Sequence, residues 1–269
     1  EDNVAVYRTP GTVRTIFGGN SDNKLISHAV ANIMTPATLK ITPYIQRGFC
    51  RGRQLVLNVV DLDSYMQVFQ TIGYSTFDNS FLSSSSGSTS SSWNLGHIDK
   101  IGELPATILY DFCNAFPTIL HEWLFLVLKM INVPPKLLCV ISWLYHKVSA
   151  YSSGTGTGSL LFFILGGVKT GCPLSSVLFL LGVNPIVDMF LYLSDGPCLS
   201  ATRVCADDFG SSLKHLWVIK RHVSIFKKAA NIAGLHLKAV KCVLVFPCIE
   251  LSEGFIAAIK SWLSRDAPE

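Results

Sequence analysis

Thr202-Arg203-Val204-Cys205-Ala206-Asp207-Asp208 decides how the chain is read, because a largely apolar run ends abruptly in two adjacent carboxylates. Thr202 to Ala206 has the make-up of a buried strand, and a turn follows naturally at the acids. A second run of the same kind, Ala106-Thr107-Ile108-Leu109-Tyr110, ends in the single acid Asp111. Only 18 of the 269 residues are Asp or Glu, so acids that close apolar strands stand out. A carboxylate withdrawn from water is costly unless a cation or a metal pairs with it. If the two strands lie side by side, Asp111, Asp207 and Asp208 converge on one end of a sheet. Sparse carboxylate sets suit Mg²⁺, which keeps water and substrate phosphates among its ligands. Taken singly, each acid also fits a duller role, Asp111 as a turn cap and the pair as a hairpin end.

Outward from these acids the chain alternates strands and helices. Thr118 is placed to cap a helix whose apolar positions include Leu120, Trp123, Val127 and Met130. Pro134-Pro135 ends it, and a second apolar helix is expected from about Lys136 to Lys147. A Gly/Ser/Thr turn at Ser152 to Gly158 leads into the strand-like Leu160 to Leu165. Gly171-Cys172-Pro173 opens a long apolar helix, with Pro173 where its missing N–H costs little. Leu213, Leu216, Ile219, Val223, Phe226, Ala230 and Ala233 recur every three or four residues, a helical stripe stopped by Gly234. This alternation predicts an α+β fold, a sheet covered by helices.

Composition narrows the rest. The formal charge of +4 is compatible with nucleic-acid binding without requiring it. Eight cysteines show no CxxC pair, which excludes a zinc-finger spacing; cysteines in apolar runs such as Leu137-Leu138-Cys139-Val140 predict buried thiols. Leu174 to Leu193 is long enough to cross a bilayer, but Asn184, Pro185 and Asp188 interrupt it, so a core helix is expected and no membrane. Ser83 to Ser92 is nearly all Ser, Gly and Thr and cannot bury enough surface to fold. The division expected is 1–66, a flexible insert at 67–103, a main domain at 104–250 and a link at 251–269. The chain opens without Met and ends abruptly, so a fragment of a longer polypeptide is expected.

Six ordered segments carry a resemblance. Val13-Arg14-Thr15-Ile16 with Asn20-Ser21-Asp22-Asn23-Lys24 resembles "RPI…NTDxK". Gln46-Arg47-Gly48-Phe49-Cys50-Arg51-Gly52-Arg53 with Asn58 resembles "QxGFxxGRxxxxN". Asp111-Phe112-Cys113-Asn114-Ala115-Phe116 resembles "DFxxAF", and Gly167 to Ser175 resembles "GVRQGCPLS". Cys205-Ala206-Asp207-Asp208 resembles "YADD", and Gly234-Leu235-His236-Leu237-Lys238 with Lys241 resembles "GLxLNxxK". Together they resemble the reverse transcriptase domain of non-LTR, LINE-like retrotransposons over most of the chain.

The resemblance implies the fingers and palm of a right-hand polymerase, with an antiparallel palm sheet packed on helices and the thumb missing. Residues 1–66 would be fingers-like and 104–250 palm, with 118–160 partly fingers. It implies an RNA-directed DNA polymerase that joins deoxynucleotides to a DNA primer on an RNA template, using Mg²⁺ or Mn²⁺. Asp111, Asp207 and Asp208 would hold two metal ions, and Lys241 would donate a proton to pyrophosphate or be merely structural. Arg14, Phe112, Phe116, Thr170 and Gly171 would meet the nucleotide, Phe116 as the gate against a 2′-OH. Arg47, Arg51 and Arg53 would track the template or form a solvated basic face. A nuclear location, and thumb and endonuclease domains elsewhere in the polypeptide, are implied in the same way. Pro117, Cys205, Thr170 and Thr15 depart from the family pattern, which keeps a second expectation open: an inactive relic that retains the fold and weak RNA binding.

Overall fold

The computed structural model describes residues 20–74, 100–145, 148–151, 158–193, 199–247, 249 and 251–267. Helix α1 (Ser21–Ile41) starts where Asn20 accepts a hydrogen bond from the Asn23 amide, and α2 (Val56–Tyr74) follows a stretch of turns. Strand β1 (Ala106–Tyr110) leads to a single-turn helix α3 (Ala115–Thr118), then α4 (His121–Met130) and α5 (Pro135–Tyr145). A hairpin of β2 (Val148–Tyr151) and β3 (Leu160–Ile164) stands apart as its own two-stranded sheet. Then come α6 (Ser175–Leu193), β4 (Ser200–Cys205), β5 (Asp208–Leu213), α7 (Ile219–Ala233), β6 (Val243–Val245) and α8 (Glu253–Asp266).

The main sheet has the order β4-β5-β1-β6, and every neighbour is antiparallel. The α+β expectation of an antiparallel sheet packed on helices is what the chain forms. Helix α2 packs on β4, β5 and β1, and two further helices complete the core. Helix α6 buries Leu178, Phe179, Val183, Ile186, Val187 and Phe190, each fully shielded, as a core helix must when it is apolar on all sides. By length and composition α6 could cross a membrane, yet two thirds (67%) of that stretch is packed inside the fold. Helix α7 turns Ile219, His222, Ile225, Phe226, Ala229 and Ala233 inward. Phe112, Phe190, Phe209 and Phe226 meet there at ring separations of 5.1–5.7 Å, so helix and sheet share one aromatic centre.

Local signals misplaced some boundaries. Thr118 does not cap α4; it ends the short α3, its hydroxyl donating back to Asn114 and Ala115, and Leu120 is the residue before α4. Leu213 and Leu216 belong to β5 and a 3-10 turn, and the apolar stripe becomes helical only from Ile219. Gly234 stops α7 as expected, at φ +73°, where a left-handed residue closes the helix. Helix α2 runs eight residues beyond position 66 with Phe69 buried, and Ile101 is fully buried, so structure enters both ends of the stretch expected to be a flexible insert. The serine tract itself lies outside the described residues. Cys139 is exposed rather than buried, because its side of α5 faces away from the core; Cys50 is buried and Cys113, Cys172, Cys205 and Cys242 are half-buried.

Candidate active site

Strand register brings the acids to one place. Tyr110 pairs with Phe209 across β1 and β5, so the next residues outward, Asp111 and Asp208, leave neighbouring strands at the same end. Cys205 pairs with Asp208 to close the β4–β5 hairpin, leaving Ala206 and Asp207 as its two turn residues. Asp111 and Asp207 are half-buried and Asp208 is exposed. Burial, and then the charges of Asp208 and Asp207, push the Cys205 thiol above its ordinary range. The segment 234–241 runs beside Asp111: the Cys113 amide donates to His236 O, and the Lys238 amide donates to Asp111 O, both at 2.8 Å. That path brings Lys241 Nζ to 3.2 Å from Asp111 Oδ2.

Among the described residues, no three His, Cys, Asp or Glu side chains are gathered closely enough to hold an ion as they stand. One atom nevertheless has the signature of a ligand. Asp111 Oδ2 is shielded from solvent and makes no hydrogen bond; Lys241 stands at ion-pair distance but off the angle of one. A buried carboxylate oxygen held only by one exposed lysine is short of donors, and a hard divalent cation would supply what is missing. The donor chemistry fits such a cation: three carboxylates on two adjacent strand ends, one with an unsatisfied oxygen.

The hairpin turn is strained and clasped. Ala206 has φ +59°, a left-handed conformation that costs a non-glycine residue roughly 1–2 kcal/mol. A positive φ at the first of two turn residues is the pattern in which glycine is usual. Gln46, fully buried, offsets the cost: its Oε1 accepts from the Ala206 and Gly48 amides, both at 2.8 Å, and its Nε2 donates to Ala206 O at 3.1 Å. The backbone beside it is tied as well, Arg47 N donating to Val204 O and Val204 N to Ile45 O. Gly48 lies so close to the turn that a Cβ there would sit 2.1 Å from the Ala206 nitrogen.

Two of the three arginines expected to track a template or form a solvated basic face, Arg47 and Arg53, are engaged inside the fold. Arg47 donates to Asn58 and ion-pairs with Asp61 at 2.8 Å, and Arg203 reaches the same Asp61 oxygen at 2.7 Å. Burial works against the Asp61 charge, but the hydrogen bonds from Arg203 and Arg47 hold its carboxyl below the usual range. Arg53 donates to the carbonyls of Leu39, Thr42, Pro43 and Gln46, satisfying the end of α1. Arg47 anchors this segment to α2, where Arg203 of β4 shares Asp61, and Arg53 anchors it to the end of α1; Arg51 alone of the three is exposed on the turn.

Phe116 lies at the meeting of three blocks. Its ring stacks on Phe179 of α6 at 4.3 Å and 13°, and meets Phe49 edge-on at 5.7 Å. The Gly167–Ser175 block is docked against it, with the Val168 amide donating to Phe116 O and the Gly167 amide to Ile119 O, both at 2.7 Å. Gly171 takes φ +90°, and half-buried Thr170 precedes it. Lys169 donates to Leu144 O and lies over the Tyr145 ring, and burial lowers its pKa. Phe112 corrects another expectation: it is 4% exposed and packed on Phe209 and Phe226, so its ring serves the core and not a nucleotide. Arg14 lies outside the described residues. Gln46, Gly48 and Phe49 match the fixed letters of the "QxGFxxGRxxxxN" segment, and Asp61 lies beyond it, but the sequence reading gives none of the four a role; contacts across about 160 residues give Gln46 and Gly48 theirs.

The model of one protein family, the reverse transcriptase (RNA-dependent DNA polymerase), matches residues 6–252. No curated protein matches the chain. Among solved structures, telomerase from Candida albicans, in complex with a TWJ fragment of telomeric RNA, is similar at a TM-score of 0.50 and 11% identity; 85% of this chain and 36% of that one are covered. Apo telomerase from Candida tropicalis is similar at 0.49 and 11%, covering 84% and 37%. The chain thus spans little more than a third of the length of these telomerases, and at 11% identity the likeness to the Candida albicans structure speaks of the fold alone.

Proposed function

The chain belongs to the reverse transcriptase (RNA-dependent DNA polymerase) family, and from that membership we propose that it is the fingers and palm of an RNA-directed DNA polymerase of non-LTR retrotransposon type. The observation that carries the reading is the register that brings Asp111 and Asp208 to one sheet end beside the Asp207 turn. Members of the family work with divalent metal ions; here Asp111, Asp207 and Asp208 would hold Mg²⁺ or Mn²⁺. Such ions, when bound, lower the pKa of an attacking hydroxyl and neutralise a leaving pyrophosphate.

The chain's own residues do the rest. A primer 3′-oxygen attacks the α-phosphorus of a deoxynucleoside triphosphate, a new P–O bond forms, and the bond to pyrophosphate breaks. The hydroxyl proton passes to solvent water, and Lys241, whose Nζ lies 3.2 Å from Asp111 Oδ2, would protonate the departing pyrophosphate. Phe116, braced on Phe179 and Phe49, is rigid enough to exclude a 2′-OH. Thr170 and Gly171 line the approach to the templating pair, Gly171 because its φ suits no larger residue. Arg14 would grip the triphosphate with a planar fork, and Arg51 would meet the template backbone. The partners are therefore an RNA template, a DNA primer and deoxynucleotides. Residues 1–66 with part of 118–160 act as fingers and 104–250 as palm, in a polypeptide that works in the nucleus.

Cys205, Thr170 and Pro117, which depart from the family pattern, favour a second reading, a relic that keeps the fold and weak RNA binding without turnover. Primer extension on an RNA template with Mg²⁺ or Mn²⁺, in a polypeptide that includes a thumb, separates the two. The polymerase reading expects extension by the wild type and none by Asp111→Asn. Equal extension by both refutes the metal role of Asp111, and a folded, template-binding wild type that extends nothing refutes the polymerase reading and is the relic.

A further inference from the structure

We infer that Gln46 is a positioning residue of the active site: by clasping the Ala206 peptide it holds the Asp207 turn in the conformation that binds a divalent ion. For its activity arm this rests on the polymerase reading above.

Gln46 contributes both halves of its carboxamide to one turn. Oε1 receives the Ala206 and Gly48 amides, and Nε2 reaches Ala206 O, so the N–H and C=O of the strained residue are held by a single side chain. Only a primary amide of this length offers an acceptor and a donor at that spacing. The pair is 160 residues apart in sequence, and the side chain is fully buried, so water cannot stand in for it. The turn it holds is also the least self-sufficient part of the hairpin. Ala206 at φ +59° relaxes toward negative φ unless its surroundings fix it, and Asp207 is the next residue. Asn58 donates to Val204 O and the Arg47 amide to the same oxygen, so the strand leading into the turn is fixed independently of Gln46. Loss of the amide therefore frees the turn and leaves the strand in place. Gln46 touches no reacting atom in this arrangement. It acts through where Asp207 points.

The test is calorimetric Mn²⁺ binding to the full chain, alongside single-turnover primer extension and amide exchange at Ala206. Gln46→Met keeps the shape and removes all three hydrogen bonds; it is expected to weaken Mn²⁺ binding about tenfold or more and to speed Ala206 exchange, while primer–template affinity stays unchanged. Ala206→Gly on that background removes the penalty of the left-handed turn, so it is expected to restore Mn²⁺ affinity to within about threefold of wild type. Gln46→Glu keeps two accepting contacts and loses the donor, and should fall between; it also serves if Gln46→Met does not fold. Equal Mn²⁺ affinity in wild type and Gln46→Met overturns the proposal, as does a loss that Ala206→Gly leaves unrepaired or a wild type that binds no Mn²⁺. A wild type that extends no primer in a polypeptide that includes a thumb, yet binds Mn²⁺ in a Gln46-dependent way, sinks the polymerase reading and leaves the positioning role standing.

Discussion

Gly48→Ala puts a methyl group into the back of the β4–β5 hairpin. The added Cβ would lie 2.1 Å from the Ala206 nitrogen, 2.7 Å from the Cys205 carbonyl carbon and 2.8 Å from the Ala206 Cα, all backbone atoms that cannot rotate away. Ordinary contact begins near 3.4 Å, so the two chain segments must part by about 1.3 Å. Gln46 bonds both segments and cannot keep its three hydrogen bonds across that gap. A displacement of about 1 Å at reacting groups costs on the order of 100-fold in rate, and overpacking costs about 1–3 kcal/mol in stability. Gly48→Ala should therefore lower single-turnover primer extension about 100-fold in protein that remains folded by circular dichroism. Gly52→Ala is the control: Gly52 needs its positive φ of +87° but has no atom within 4 Å of a Cβ, so it should lose stability and keep extension within a few-fold. Extension by Gly48→Ala at the wild-type rate would refute the claim that this contact sets the turn.

Phe116→Val should admit ribonucleotides, because it removes the ring braced between Phe179 and Phe49; unchanged sugar discrimination in competition assays would take Phe116 out of the gate. Acid should destabilise the fold through His222, which is fully buried against the Tyr110 hydroxyl at 2.8 Å and whose pKa burial pushes down from 6.5 to about 3. Between those values the unfolded chain binds the extra proton, so stability is full above pH 6.5 and declines as pH falls toward 3, by about 2 kcal/mol from pH 7 to pH 5. His222→Gln should flatten that slope in denaturant titrations, and an unchanged slope would assign it to other groups.

Much of this site could be read in the chain because strand, acid and turn signals are local. Ala106–Tyr110 is a short apolar run that forms β1, Thr202–Ala206 falls on β4 and the first residue of its turn, and their acids fall where the register brings them together. Gly234 announced its own φ. The roles of Arg47 and Arg53 are not legible, since an arginine beside a glycine turn reads as a phosphate contact or a solvated basic charge as readily as the internal anchor it forms here. What decides between these is Asp61 on α2 and the carbonyls ending α1, whose positions depend on tertiary packing. Phe112 was misread for a related reason: a motif position gives no face, and the ring turns toward Phe209 and Phe226. Helix α2 was hidden because its apolar residues fall all round it, with Val56, Val59, Val60 and Val68 exposed, leaving no periodic stripe to recognise.

Mn²⁺ titration followed by electron paramagnetic resonance, on wild type and Asp111→Asn, reports directly on whether the strand-end acids share a cation. The unsatisfied Asp111 oxygen predicts bound Mn²⁺ in the wild type and at least about tenfold weaker binding in Asp111→Asn, where one oxygen becomes an amide that cannot coordinate as a carboxylate does. Equal affinity in the two proteins, or no bound Mn²⁺ in either, would contradict a metal site at the Asp111, Asp207 and Asp208 end of the sheet.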